Sequence, residues 1–176
     1  MIPRTEKEET AVPVTCDKTL AEEGSEHAAR HEALTDFPLV ITLPLVWGDH
    51  DAFGHVNNLV YLRWCETARV EYLMRIGLWP SLPPEGIGPI LASVTCDYKR
   101  PLTFPDTVYV GTRVTRIGNS SFQMQHKVVS KGLDMVAAEV ESTLVLLDYA
   151  RNQAVPVPDR FRQAIRALEH KPVAGR

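Results

Sequence analysis

The residue types best suited to chemistry concentrate in one short stretch, from Trp47 to Arg69. Acids and histidines between Asp49 and His55 precede the pair Asn57–Asn58 and a long segment that contains neither Gly nor Pro. A loop carboxylate can act as a nucleophile or a general base, and the free N–H groups of a helix N-terminus can hold a developing negative charge. The combination suggests acyl transfer before other reaction classes.

The segment from Leu59 to Ile76 is predicted to be the helix that positions these groups. Asn57 or Asn58 is a suitable N-cap, and Gly77 stands where a helix C-terminus favours glycine. Apolar and aromatic residues recur at three- and four-residue steps, which is the spacing of one helix face. This face consists of Tyr61, Trp64, Cys65, Ala68, Tyr72 and Ile76.

The order of strand, acidic turn, Gly-His-Val-Asn-Asn and long helix resembles the hotdog-fold thioesterases of the 4-hydroxybenzoyl-CoA and acyl-CoA thioesterase type. The matching residues are Asp49, Asp51, Gly54, His55, Asn57, Asn58, Tyr61 and the run from Glu66 to Arg69. The resemblance covers about residues 38–160. It implies hydrolysis of an acyl-CoA to a carboxylic acid and CoA without a metal or redox cofactor, and chains that pair edge to edge as homodimers or homotetramers.

The same resemblance assigns three catalytic candidates. Asp51 occupies the position of the family's catalytic aspartate, as nucleophile or general base, although an Asp at such a position also commonly stabilises a turn. Asn58 lies where the oxyanion-binding amide is expected, or it simply caps the helix. His55 is a candidate for binding the substrate carbonyl, orienting Asp51 or moving a proton, with a purely structural turn as the alternative.

Five further residues are candidates for substrate binding. Lys99 and Arg100 carry charges that suit the phosphates of CoA, although solvated strand charges would explain them equally well. Tyr61 is a core residue that could also line an acyl pocket. Asn57 adjoins the oxyanion position, and Glu66 could reach back from the helix to the acidic turn.

A metal site is the weaker alternative at the acidic turn. Asp49, His50, Asp51 and His55 have side chains that suit zinc or iron, but their spacing fits no metal motif with a clear mechanism. No metal is therefore predicted.

The rest of the chain reads mainly as β-structure. Alternation predicts an edge or bulged strand over Phe37 to Trp47, because Pro44 lacks an N–H donor. A loop from Trp79 to Pro89 separates the helix from four more strands. These strands are predicted at Ile90–Tyr98, Thr107–Ile117, Ser121–Ser130 and Met135–Leu147, and Pro158-Asp159 opens a short amphipathic helix.

The predicted fold class is α+β, a hotdog fold in which a five-stranded antiparallel sheet wraps one long central helix. Residues 37–170 form the domain, residues 1–36 are predicted to be a disordered acidic extension with a short helix near Ala28, and residues 171–176 a flexible tail. Four Lys/Arg stand against nine Asp/Glu in residues 1–38, and 15 against 13 in the remainder. This balance gives no support to nucleic-acid binding.

Three scattered cysteines favour a reducing cytoplasm, and no apolar run is long enough for a membrane span. Three alternatives stay open: an acyl-carrier-protein thioesterase, an enoyl-thioester hydratase of the same fold, and a non-catalytic protein that binds acyl thioesters. Their discrimination needs an assay of thiol release against double-bond hydration.

Overall fold

The computed structural model describes residues 31–78 and 86–175. These residues form two helices, α1 and α2, one mainly antiparallel sheet and two short 3-10 turns. The helices are α1 (Asn58–Arg75) and α2 (Asp159–Leu168), and the 3-10 turns are Glu32–Leu34 and Trp47–Asp49. The strands are β1 (Leu39–Pro44), β2 (Ile87–Tyr98), β3 (Thr107–Ile117), β4 (Ser121–Ser130), β5 (Met135–Asp148), β6 (Gln153–Ala154) and β7 (Ala174–Gly175).

The five long strands form a curled sheet in the order β1-β3-β4-β5-β2, with antiparallel pairing throughout. The predicted α+β class and antiparallel sheet are confirmed. Strand β1 is shorter than predicted, because its pairing with β3 extends only from Leu39 to Pro44. It is the first strand in the sheet order of the described residues, which agrees with the edge position that Pro44 indicated. Trp47 belongs to the following 3-10 turn instead.

Helix α1 lies within one residue of its predicted bounds at each end and packs against the inner face of the sheet. Every residue of the predicted apolar face is buried. Gly77 has a φ of +71°, and its N–H and that of Leu78 bond back to the carbonyls of Met74 and Leu73. The glycine therefore ends the helix in the left-handed conformation expected from its position.

A polar line interrupts the apolar inner face of the sheet. Thr112, His126 and Ser142 are buried on three neighbouring strands, with 2.7 Å between Thr112 Oγ1 and His126 Nδ1 and 3.3 Å between His126 Nε2 and Ser142 Oγ. Burial, with a smaller contribution from the charge of Arg69, lowers the pKa of His126 to about 3. The imidazole is therefore neutral in the folded protein at neutral pH.

Helix α2 carries a half-buried carboxylate at its C-terminal end. Glu169 Oε1 accepts hydrogen bonds from the Tyr72 hydroxyl and the Val114 N–H, both at 2.6 Å. Burial raises the pKa of this carboxyl group despite those two donors. The predicted apolar side of α2 is confirmed, since Phe161 and Ile165 are buried.

One further strand boundary differs from the prediction by more than one residue. Strand β2 begins at Ile87 and includes Pro89, which the predicted loop contained. Proline is tolerated there because β2 is the last strand of the sheet in the described part of the chain. Leu34, just before the predicted domain boundary, is already buried. The predicted helix near Ala28 lies outside the described residues.

Within the predicted tail, the two residues of β7 pair in parallel with the end of β3. Strand β1 pairs with β3 only as far as Thr112, so the edge of β3 beyond that point is open to another strand. Within the described residues, no helix combines the length and apolar character needed to cross a bilayer.

Candidate active site

The acidic stretch between β1 and α1 forms a compact loop that its own backbone hydrogen bonds hold in shape. The Asp51 N–H donates to the His55 carbonyl at 2.8 Å, and the Gly54 N–H donates to the Asp51 carbonyl at 3.2 Å. Gly54 has a φ of +78°, a conformation that glycine adopts without steric cost. The turn therefore brings Asp51 and His55 next to each other where its two ends meet.

The Asp51 carboxylate is only partly used by this turn. Its Oδ1 atom accepts the backbone N–H groups of Phe53 at 2.8 Å and His55 at 3.3 Å. Among the residues that the structure describes, none donates a hydrogen bond to Oδ2. One oxygen thus stabilises the turn that an Asp commonly makes, and the other remains available to a substrate or a water molecule.

The N-terminus of α1 begins directly after this turn. The Asn57 side chain caps the helix by accepting the Leu59 N–H at 2.9 Å, so Asn57 is the N-cap and Asn58 the first helical residue. The Asn58 N–H has no acceptor within the described residues. A free N–H at the positive end of a helix is a suitable donor to an oxyanion.

A cavity of about 390 Å³ joins these two features. Six of the eight predicted site residues line it together. Its lining is Asp51, His55, Val56, Asn58, Tyr61, Tyr98, Lys99, Arg100 and Pro101. Asp51, His55 and the first residue of the helix therefore line one space, and their chemical roles stay predictions.

The other two predicted residues lie elsewhere. Asn57 and Glu66 line a separate cavity of about 560 Å³ between α1 and β2. The Glu66 side chain is 64% exposed and its carboxylate lies 3.5 Å from the Arg69 guanidinium, so it does not reach back toward Asp51. Burial lowers the pKa of Arg69, although the Glu66 charge opposes that effect.

Two tyrosines form the wall of the cavity that contains Asp51. Their rings meet edge to face with centroids 5.3 Å apart, and Tyr61 donates to the Arg100 carbonyl at 3.3 Å. The Tyr98 hydroxyl donates to the Asn58 carbonyl at 3.0 Å and thereby ties the end of β2 to the start of α1. Desolvation raises the pKa of each tyrosine to about 12, so both hydroxyls keep their protons at neutral pH.

Sequence reasoning did not select Tyr98 as a site residue. Its only signal is its place at the last position of β2, directly before the predicted cations Lys99 and Arg100. The Lys99 ammonium lies 3.6–3.7 Å from the carboxylates of Glu139 and Asp97, with its side chain 43% exposed. The cationic side of the cavity is thus open to solvent and to a charged ligand.

The alternative metal ligands do not converge. Asp49 pairs with Arg63, and both ring nitrogens of His50 contact backbone groups. Within the described residues, no group of three or more His, Cys, Asp or Glu side chains is arranged to hold a metal ion.

Comparison with known proteins identifies the family of this chain. A family model described as the thioesterase-like superfamily matches residues 45–165. The crystal structure of a thioesterase from Thermus thermophilus, complexed with coenzyme A and Zn, is 35% identical with a TM-score of 0.69. That match covers 78% of this chain and 98% of the Thermus chain.

Two further proteins are similar to this chain over part of its length. Protein THEM6 of Danio rerio is 30% identical over 90 residues, which are 51% of this chain and 45% of THEM6, so this chain spans about half the length of that relative. The long-chain acyl-CoA thioesterase FadM of Escherichia coli (strain K12) is 20% identical over 118 residues, 67% of this chain and 89% of FadM.

Proposed function

The chain belongs to the thioesterase-like superfamily, and on that premise we propose that it hydrolyses an acyl-CoA thioester to a free carboxylic acid and CoA. The observation that carries the proposal is the shared cavity of Asp51, His55 and Asn58. A carboxylate oxygen without a donor and a helix N–H without an acceptor, both among described residues, are complementary to a thioester carbonyl. The carbon meets the carboxylate or its water, and the oxygen meets the amide.

Two routes through Asp51 balance chemically. In the first, Oδ2 attacks the thioester carbon, the C–S bond breaks as CoA leaves as a thiolate, and water then hydrolyses the resulting anhydride. In the second, Asp51 takes a proton from a water molecule that attacks the same carbon, and the departing thiolate is reprotonated. In both routes the Asn58 N–H donates to the carbonyl oxygen as it becomes negative.

His55 is proposed to assist by contact with the substrate carbonyl or by moving a proton. The His55 carbonyl accepts the Asp51 N–H, and the His55 N–H donates to Asp51 Oδ1. These two hydrogen bonds hold the backbone of His55 beside the Asp51 carboxylate. Neither route needs a metal or redox cofactor, because the nucleophile, the base and the oxyanion donor are protein groups. Turnover that survives exhaustive dialysis against a chelator would agree with this, and turnover restored only by added metal would refute it.

The cations at the cavity favour a thioester whose carrier bears phosphate. Lys99 and Arg100 lie on the same cavity as Asp51, where the phosphates of CoA or the phosphopantetheine of a carrier protein could pass. The double substitution of Lys99 and Arg100 by Gln should raise KM for an acyl-CoA by about tenfold, the effect of about 1.4 kcal/mol. The same acyl group on N-acetylcysteamine, which has no phosphate, should show no such change.

The decisive experiment measures thiol release from short, long and aryl CoA esters, with hydration of the enoyl esters followed in parallel. Thiol release from at least one ester class at rates far above the uncatalysed reaction supports the proposal. Hydration without thiol release would instead identify a hydratase. Saturable binding of acyl-CoA without either reaction would identify a non-catalytic binding protein.

We also propose that two chains pair through β2. This strand is the last in the sheet of the described chain, and it exposes Ile90, Leu91 and Val94 along its length. An exposed apolar edge strand is a template for pairing with another strand. Sedimentation should give a dimer or tetramer, and a Val94→Lys variant should shift the population toward monomers. The cytoplasmic location expected from the few cysteines stays a proposal that fractionation of the producing cell would test.

A further inference from the structure

Asp49 is buried two residues before the proposed catalytic Asp51. It ends the 3-10 turn that leads into the loop, and its side chain is only 3% exposed. Its Oδ1 atom accepts a hydrogen bond from Arg63 Nη2 at 2.5 Å, and its Oδ2 atom accepts the Val46 N–H at 3.0 Å. Both carboxyl oxygens thus already accept a hydrogen bond from the chain itself, and the side chain is almost fully buried, which favours a structural role over contact with a substrate.

These contacts tie the entrance of the loop to the helix. Arg63 lies on α1, and the Asn57 N–H donates to the Asp49 carbonyl at 2.8 Å. Asp49 therefore contacts both the N-cap of α1 and a residue farther along the helix. The segment between Asp49 and Asn57, which carries Asp51, is consequently anchored at its two ends.

His50 holds the opposite side of the loop. Its Nε2 atom lies 2.8 Å from the Phe104 backbone nitrogen, and its Nδ1 atom lies 3.1 Å from the Trp47 carbonyl oxygen. A backbone N–H can only donate and a carbonyl can only accept, so Nε2 must be the acceptor and Nδ1 must carry the proton. The neutral imidazole in this one tautomer bridges the acidic loop and the segment after β2.

We infer that Asp49 and His50 are positioning residues that set the distance between the Asp51 carboxylate and the N-terminal amide of α1. The inference rests on the proposed function, because only that function requires the carboxylate and the amide to lie at a defined distance from each other. Asp49 holds the loop against the helix, and His50 holds it against the backbone of Phe104. The reacting groups come from the loop and the helix separately, so their alignment depends on these contacts between the two.

A purely stabilising role is distinguishable from positioning. Asp49 is only 3% exposed, so loss of its ion pair with Arg63 also lowers the melting temperature. A purely stabilising contact, however, leaves kcat unchanged at temperatures where the variant is fully folded. A misplacement of about 1 Å at a reacting group can lower the rate by about 100-fold in the folded protein, so kcat measured well below the melting temperature distinguishes the two roles.

The test compares Asp49→Asn, Arg63→Met and the double variant with wild type. Glu71→Gln is the matched control, because it removes the carboxylate of another ion pair of α1, with Arg75 at 3.2 Å. Asp49→Asn and Arg63→Met should each lower kcat by about 10- to 100-fold with KM changed less than about threefold. The double variant should be no slower than the slower single variant, because both remove one contact.

A second pair of variants examines His50. Gln at this position can still present an oxygen to the Phe104 N–H, whereas Leu cannot. His50→Gln should therefore retain several times the kcat of His50→Leu. Equal losses in the two variants would remove His50 from the inference.

Amide hydrogen exchange separates a failure of this inference from a failure of the proposed function. A wild-type protein that hydrolyses no CoA thioester would refute the function. The Val46 and Asn57 amides should still exchange faster in Asp49→Asn than in Glu71→Gln if Asp49 holds the loop. Unchanged exchange at these amides, or wild-type kcat in a folded Asp49→Asn protein, would overturn the positioning role.

Discussion

Replacement of Asp51 by Asn tests the proposed chemistry with little disturbance of the loop. In the wild-type protein Oδ1 accepts the backbone N–H groups of Phe53 and His55. The side-chain oxygen of Asn can accept the same two groups, so the turn should persist. The amide nitrogen that takes the place of Oδ2 can neither attack a carbonyl carbon nor remove a proton from water. Because a general base contributes about 10²–10⁴ in rate, kcat should fall by about that factor.

The assay is thiol release from the best CoA ester at saturating concentration, with binding of a non-hydrolysable thioether analogue measured in parallel. Asp36→Asn is the control, because Asp36 bonds Lys171 at 2.5 Å and lies outside the cavity lining. Asp51→Asn should keep the analogue affinity and the melting temperature close to wild type, and Asp36→Asn should keep wild-type kcat. A folded Asp51→Asn protein with kcat within about twofold of wild type would refute the role of this carboxylate.

Three further predictions address groups around the site and in the core. Tyr98→Phe removes a hydrogen bond to the Asn58 carbonyl worth about 1 kcal/mol, so kcat should fall about 3- to 10-fold. Tyr149→Phe loses a similar hydrogen bond at the other end of β2 and should not lower kcat. The raised pKa of Glu169 means that its stabilising contribution is present at low pH and is lost as pH rises through the folded-state pKa. Urea titrations should therefore show Glu169→Gln gaining stability relative to wild type as pH rises above 4.5, the ordinary pKa of a glutamate, and a pH-independent difference would contradict this. The lowered pKa of His126 has the opposite effect on stability: the free energy of unfolding falls as pH falls from 6.5 toward 3, by up to about 1.4 kcal/mol per pH unit. His126→Gln should therefore depend less steeply on acid pH, and an equally steep dependence would show that another group is responsible.

The helix that organises the site was predictable because its signals are local. One run without Gly or Pro, an Asn before it and Gly77 after it specify both ends to within one residue. Its buried face follows from three- and four-residue spacing alone. The same locality explains the correct bounds of β3 and β4, whose hairpin residues stand directly between them.

Features that depend on distant partners were predicted less well. Pro89 reads as a loop residue, but its place on the last strand of the sheet allows it to pair without an N–H donor. Tyr98 joins the cavity through the carbonyl of Asn58, forty residues earlier, and no local pattern reports that contact.

Asp49 and Asp51 are the same residue type two positions apart, and their surroundings differ: Asp49 is buried and pairs with Arg63, whereas Asp51 lines the cavity. The contact that occupies Asp49 comes from Arg63, fourteen residues later, so spacing within the motif cannot distinguish the two carboxylates. If Asp49 acts only by placing Asp51, its loss should matter only while the Asp51 carboxylate is present. An Asp49→Asn/Asp51→Asn double variant should therefore be no slower than Asp51→Asn alone, since an absent carboxylate cannot be misplaced. A double variant slower by the full product of the two single effects would mean that Asp49 contributes to the chemistry independently.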